Sequence, residues 1–310
     1  MSRLENNKIF RSLLVIALVT IAVFFIIRMV PGDPAVMILG EHGTPEEIAR
    51  IHKELNLDLP VSEQFGIFIR NIVLHGDTGE SIKYGISSRN LILRHAPVTL
   101  CLVFLAMLIA IFTSVILAFI AATHRDSVFD HLIRIMPAFT QGMPIFWVGL
   151  MFILLFSVRL GWFPVGGVEE GLFGMLHSLI LPAITVAFGQ IPGLVRSLRE
   201  QILEVLDSDF VVTLKAAQMP NRIIFRHVLK NAMIPTLMLL GVNISYLVGG
   251  TLVVEQVFAV KGIGKLLFDA ISYRDFPLVQ GIALYCAVFV VLTGTIVDMI
   301  AHRIDPRTRK

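Results

Sequence analysis

Arg222, Arg226 and Lys230 recur at every fourth position of the segment 207–235, DSDFVVTLKAAQMPNRIIFRHVLKNAMIP. On a helix that spacing gathers the three cations into one stripe. Ile223, Ile224, Val228 and Leu229 form an apolar side beside it. Asp209 is placed to cap a short helix reaching about Gln218, and Met219-Pro220-Asn221 must end it, with a second helix starting near Pro220. Such a segment recognises rather than catalyses. It either lies on anionic lipid as an amphipathic helix, or inserts Ala216, Ala217 and the tight turn after them into a cleft on another protein. The rest of the chain offers no competing chemistry. There is no H-E-x-x-H, no G-x-S-x-G and no paired-cysteine motif. Gly262-Ile263-Gly264-Lys265 lacks the glycine spacing of a phosphate loop, and Leu266 stands where a hydroxyl would hold magnesium. The nine histidines do not pair at ligand spacing, and Cys101 and Cys286 fall inside apolar segments, where they are expected to be small buried residues.

The elements that must position this segment are set by composition. The 310 residues are 55% hydrophobic and only 16% charged, with mean hydropathy +0.79. Soluble domains carry about 25% charged residues, so the chain reads as a membrane protein. The net charge of +3 is spread over loops and tails, which excludes a nucleic-acid footprint. A membrane-spanning helix needs about 20 apolar residues, and six stretches qualify: 9–30, 97–122, 135–160, 178–196, 234–258 and 278–301. The first is long for a signal-peptide core and Pro31-Gly32-Asp33-Pro34 follows it, so it is expected to be retained. The fold expected is an all-α polytopic membrane protein with six transmembrane helices.

Basic residues give the expected orientation. Arg3, Lys8, Arg11, Arg125, Arg134, Arg196, Arg199, Lys215, Arg222, Arg226, Lys230, Arg303, Arg307, Arg309 and Lys310 fall on one side, fifteen against Lys261, Lys265 and Arg274 in the short connections on the other, with the long segment 31–96 left out because long loops count little. The positive-inside rule then places both termini in the cytoplasm. The segment 31–96 becomes an external helical subdomain. Thr44-Pro45-Glu46-Glu47 is a helix start, Ile48, Ile51 and Leu55 follow at helical spacing, and Phe65, Phe68, Ile69 and Ile72 form a second apolar face before the turn Gly76-Asp77-Thr78-Gly79. This subdomain braces the bundle or meets a soluble partner. The expected divisions are 1–30, 31–96, a core at 97–302 containing the cytoplasmic loop 197–233, and a tail at 303–310.

Polar residues within the spans are few: Gln141, Gln190, Asn243, Ser245, Glu255 and Asp298. Such groups face a bundle interior or a water-filled path. Prolines 137, 144, 182 and 192 interrupt the same spans, and irregular backbone at membrane depth is tolerated where it lines a cavity. Gln141, Asn243 and Ser245 are candidate path-lining residues, with Met143, Phe146 and Leu247 helping to close the path. The alternative is ordinary hydrogen bonding between helices.

Several short motifs, in order, carry a resemblance: Pro31-Gly32-Asp33-Pro34-Ala35, Gly76-Asp77-Thr78-Gly79-Glu80-Ser81, Pro97-Val98-Thr99-Leu100, Met143-Pro144-Ile145-Phe146-Trp147, Leu181-Pro182, Arg226-His227-Val228-Leu229-Lys230-Asn231-Ala232, Gly249-Gly250-Thr251-Leu252-Val253-Val254-Glu255, Tyr273-Arg274-Asp275-Phe276-Pro277 and Asp305-Pro306-Arg307. Together they resemble ABC-importer permeases of the dipeptide, oligopeptide and nickel uptake class, over nearly the whole chain. The segment 207–235 resembles that family's Glu-Ala-Ala loop. The sequence departs from the pattern at Gln218, where the family usually has glycine, and at Val260-Lys261-Gly262 in place of Trp-Pro-Gly.

The resemblance implies coupling to separate ATPases through Asp209, Lys215, Ala216, Ala217, Gln218, Arg222, Arg226 and Lys230. It implies a homologous second permease, two cytoplasmic ATPase subunits that hold ATP and magnesium, an extracytoplasmic substrate-binding protein, and residence in the bacterial inner membrane. This chain would be non-catalytic and hold neither cofactor nor metal. The substrate class implied is peptides or glutathione-like molecules, with nickel or a metal chelate as the alternative. A secondary transporter is the reading from a different class; the internal repeats and buried coupling-ion acids it calls for are not found in the sequence.

The orientation has a direct check. A cysteine placed at Glu47 is expected to react with an impermeant thiol reagent added from outside, and one at Arg222 is expected not to. The reverse labelling overturns the assignment of sides.

Overall fold

In the computed structural model the backbone is described for residues 2–29, 33–39, 44–54 and 56–304. Side chains are described there except at 2–9, 34, 37, 38, 54, 141, 234–246, 248, 297, 298 and 300–304. Pro31, Gly32, Leu55 and Asp305-Pro306-Arg307 lie outside the described residues, as do the side chains of Gln141, Asn243, Ser245 and Asp298. The regular structure described is helical: α1 (Ser2–Arg28), α2 (Pro34–Leu39), α3 (Pro45–Glu54), α4 (Val61–His75), α5 (Ser88–Thr123), α6 (Val128–Gln141), α7 (Ile145–Phe152) with a π-helical continuation (Ile153–Arg159), α8 (Gly171–Leu206), α9 (Asp209–Ala216), α10 (Asn221–Val257), α11 (Ile263–Ser272) and α12 (Phe276–Ile304). In lipid every backbone polar group must be satisfied within the segment, and a helix does this. The chain divides into two compact units, Met1–Val98 with Lys261–Val291 and Thr99–Val260 with Leu292–Lys310.

The first unit contains the helices expected at 31–96. α3 opens with a capping box: the Thr44 hydroxyl accepts from the Glu47 amide at 3.3 Å, and the Glu47 carboxylate accepts from the Thr44 amide at 2.9 Å. Asp33 accepts from the Ala35 amide at 2.9 Å at the start of α2 and sits 2.8 Å from His52 Nε2 on α3. The hydrogen bond between them holds the Asp33 carboxyl below its ordinary range and the His52 imidazole above its own. Phe24 of α1 is fully buried against Phe65 and Phe68 of α4, and the Arg28 guanidinium lies 3.5 Å over the Phe24 ring while donating to Gln64 Oε1.

Two motifs far apart in sequence meet in this unit. The Thr78 hydroxyl donates to the Pro277 carbonyl at 2.7 Å, the Ser81 hydroxyl donates to Asp275 Oδ2, and the Tyr285 hydroxyl donates to the Gly76 carbonyl at 2.8 Å. Asp275 also accepts from the Leu278 amide at 3.3 Å, which caps the start of α12. Leu91, Ile92, Leu266, Leu278 and Ile282 form the apolar core beneath this latch.

In the second unit α8 is the central element. Ala187, Ile191, Leu194, Val195, Leu198 and Ile202 recur at helical spacing and are buried against Ala110, Ala118 and Ala122 of α5. Alanines let the two backbones approach closely. Val211 of α9 and Ile224, Val228 and Ala232 of α10 complete the same core. α7 packs tightly too, since a Cβ on Gly149 would lie 3.2 Å from both Phe258 and Val257.

Helices 10–28, 88–123, 171–206 and 276–296 are each long and apolar enough to cross a membrane. The expected third span, 135–160, is not one straight helix: α6 and α7 with its π-helical extension meet at 109°. The cause is Gly142-Met143-Pro144, because proline supplies no amide hydrogen and drives the residue before it out of helical geometry. The expected fifth span, 234–258, is the later part of α10, which starts at Asn221 and runs on without a break.

Gly281 of α12 is a close-packing position. A Cβ there would lie 2.7 Å from Thr78 Oγ1 and 3.1 Å from Ile92 Cδ1. Gly281→Ala is expected to destabilise the protein by about 1–3 kcal/mol through overpacking. Thermal unfolding of the detergent-solubilised protein measures it, and an unchanged midpoint counts against the latch.

Candidate functional site

α9 and the first turns of α10 form a prefolded knob. Its root is apolar: Val211, Ile224 and Val228 are buried, and the Phe225 ring meets Phe119 of α5 edge-on at 4.3 Å. Its outer surface carries Asp209, Lys215, Ala216, Ala217, Gln218, Arg222, Arg226 and Lys230, all exposed. The structure places all eight of the expected docking residues at exposed positions of α9, the turn after it and the early part of α10. It moves one of them: Ser208 holds the cap position of α9, and Asp209 is the first residue inside the helix. There Asp209 still favours the positive end of the helix dipole.

The turn between the two helices closes itself. The Met219 amide donates to the Leu214 carbonyl at 3.1 Å and the Gln218 amide to the Lys215 carbonyl at 3.0 Å. These are the paired bonds of a Schellman end, and Pro220 then caps α10. A Schellman end needs a left-handed residue, and Gln218 supplies it at φ 54°. That explains physically why glycine suits this position.

Of the candidate path residues, Met143 and Phe146 lie at the α6–α7 corner, 38% and 48% exposed. Leu247 of α10 is buried inside the chain.

Buried carboxylates were not singled out as positioning groups by the sequence. Glu255 of α10 is fully buried and accepts from the Thr99 hydroxyl of α5 at 2.6 Å, joining two of the short motifs. Asp130 on the first turn of α6 is fully buried as well. Its Oδ1 accepts from Arg199 Nε at 2.5 Å and its Oδ2 from Arg199 Nη2 at 2.7 Å, with Arg134 Nη2 also 2.7 Å from Oδ2. Its own amide donates to Ser127 Oγ, which caps α6. The only sequence signal was that Arg134 and Arg199 stand at the ends of apolar stretches.

Comparison with known proteins bears on this arrangement. Residues 114–310 match the family model described as binding-protein-dependent transport system inner membrane component, and residues 1–102 match the model of its N-terminal part. A chain of Brucella abortus assigned to a peptide transport system as its permease is 36% identical over 313 residues, covering 100% of this chain and 99% of its own length. The di/tripeptide transport system permease DppB of Pseudomonas aeruginosa is 36% identical, with 94% of each chain covered. The oligopeptide transport system permease AppB of Bacillus subtilis is 34% identical, with 93% of each covered. Among solved structures, a chain of the MetNI methionine ABC transporter superposes with a TM-score of 0.56 at 16% identity, over 69% of this chain and 96% of its own. That likeness concerns the fold.

The left-handed residue generates a prediction. Gln218→Gly is expected to stabilise the protein by up to about 1 kcal/mol, because a side chain in that conformation costs about 1–2 kcal/mol and glycine's greater unfolded freedom returns part of the gain. Gln218→Val is expected to destabilise it. Denaturation midpoints of both variants check the geometry; the opposite order overturns it.

Proposed function

Since the chain belongs to the family of binding-protein-dependent transport inner-membrane components, a multi-pass membrane permease, we propose that it forms half of the translocation path of an ATP-driven peptide importer. What supports the substrate class is that relatives aligned over nearly their whole length are named for di-, tri- and oligopeptide transport. The observation that carries the mechanism is the knob of α9 and α10, which exposes its charged residues beside the apolar side chains of Phe210, Val212, Met219 and Ile223 and is rooted in the core of its unit.

In this reading six spans cross the membrane with both termini inside, and the knob faces the cytoplasm. The two halves of α6–α7 and the later part of α10 each contribute to the third and fifth crossings. A homologous permease completes the path, two ATPases bind ATP and magnesium, and an external binding protein delivers the peptide. Closure of the ATPases moves the knob, and the permease alternates between outward and inward openings. Ala216 and Ala217 leave room for a cleft to close on the turn, while Lys215, Arg222, Arg226 and Lys230 pair with acids or carbonyls of the ATPase.

The path itself is wide and lined by few fixed charges, which suits solutes with varied side chains. Met143 and Phe146 offer pliable apolar surface at the corner, and methionine in particular adapts to different shapes. Gln141, Asn243 and Ser245 add neutral hydrogen-bonding groups, whereas Leu247, buried within its own chain, packs behind the route.

Ala217→Glu tests the knob. It would force an unpaired charge into a cleft with no room for it. Peptide uptake is expected to fall about tenfold or more, with membrane insertion unchanged. Wild-type uptake and wild-type peptide-stimulated ATP hydrolysis in this variant would sink docking at this surface.

A further inference from the structure

The knob grows directly from the end of α8. Arg199 lies seven residues before the end of that helix at Leu206, and Asp209 opens α9 just beyond. Arg199 is also the residue whose guanidinium forks onto Asp130. Two parallel hydrogen bonds fix relative orientation as well as distance, which a single contact does not.

Among the described residues, the side-chain hydrogen bonds that tie α6 to another helix are those between Asp130 and Arg199. Ile133 and Met136 pack on the core of the unit, but Val128, Phe129, Leu132, Ile135 and Phe139 are exposed. Beyond its far end lies the 109° corner carrying Met143 and Phe146. Asp130 is fully buried and the Arg199 side chain is 13% exposed. Pulling them apart would strand a desolvated charge, so the two helices must travel together at this point. Arg134, one turn along α6, binds the same carboxylate and also Asp126 at 2.9 Å, which stiffens the joint from the loop side.

We propose that Asp130 is a positioning residue for transport: by clamping α6 to α8 through Arg199, it delivers movement of the docking knob to the α6–α7 corner. The inference rests on the reading of the knob as the ATPase contact. It makes the corner the output of a lever whose input is α9 and whose rivet is one carboxylate. A clamp that served stability alone would leave the number of peptides moved per ATP untouched.

The test is made on the complete transporter in liposomes, with ATPase subunits, binding protein and a dipeptide. Asp130→Asn keeps the shape and removes the charge. It is expected to retain ATP hydrolysis within about twofold while uptake per ATP falls about tenfold, the scale of one lost charge-assisted interaction. Arg199→Lys, which keeps the charge but not the fork, is expected to fall between. Asp130→Glu is expected to recover part of the ratio. The proposal is overturned if uptake per ATP stays at the wild-type value in Asp130→Asn, including when uptake and hydrolysis fall together. Should Asp130→Asn fail to insert, a wild-type ratio in Arg199→Lys overturns it equally. Ala217→Glu run in parallel separates the two readings. If that variant behaves as wild type, the knob is not the ATPase contact. If it is impaired while Asp130→Asn keeps its ratio, the clamp alone is wrong.

Discussion

A carboxylate taken out of water must find donors, and three long-range joints among the described residues are organised around that requirement. Asp130, Glu255 and Asp275 are each fully buried. Each ties segments that the sequence keeps far apart: Asp130 meets Arg199, Glu255 meets Thr99, and Asp275 meets Ser81. Apolar packing alone would let helices slide or rotate on one another, because it is non-directional. In lipid it also gives helices no solvent-driven reason to associate. Directional bonds to a few acids therefore set which helix faces which, and small residues such as Gly281 and Ala118 let the backbones come close enough for those bonds to form.

Local features were legible in the sequence because their causes are local. The capping box at Thr44 and Glu47 involves residues three apart, and its spacing alone forecasts the bonds observed. The break at Met219-Pro220 and the basic stripe of Arg222, Arg226 and Lys230 follow from helical period and from the missing amide of proline. Long apolar runs likewise announced α5, α8 and α12, although α5 starts at Ser88, before the apolar run begins.

What escaped has non-local or geometric causes. A hydropathy window counts apolar residues and is blind to direction, so 135–160 read as one crossing where the backbone turns at Gly142-Met143-Pro144. Gln218 concealed a left-handed turn that a glycine would have advertised. Arg134 is a partner of Asp130 at helical spacing, but Arg199, which forks onto the same carboxylate, lies 69 residues away, beyond any periodicity. The resemblance supplied the motifs around Asp275 and Glu255, but their pairing with Ser81 and Thr99 needed three dimensions.

The self-closed turn at Gln218 has a thermodynamic consequence. A loop that becomes ordered only on contact loses conformational freedom at every engagement, and that loss is subtracted from its affinity. Here the hydrogen bonds from Met219 to Leu214 and from Gln218 to Lys215 are already made in the free chain, and the apolar root already sits in its core. The ordering entropy is spent once, during folding. On the proposed reading, a partner meeting this surface would find a shape already closed by its own hydrogen bonds, and the loop would not have to refold between one engagement and the next.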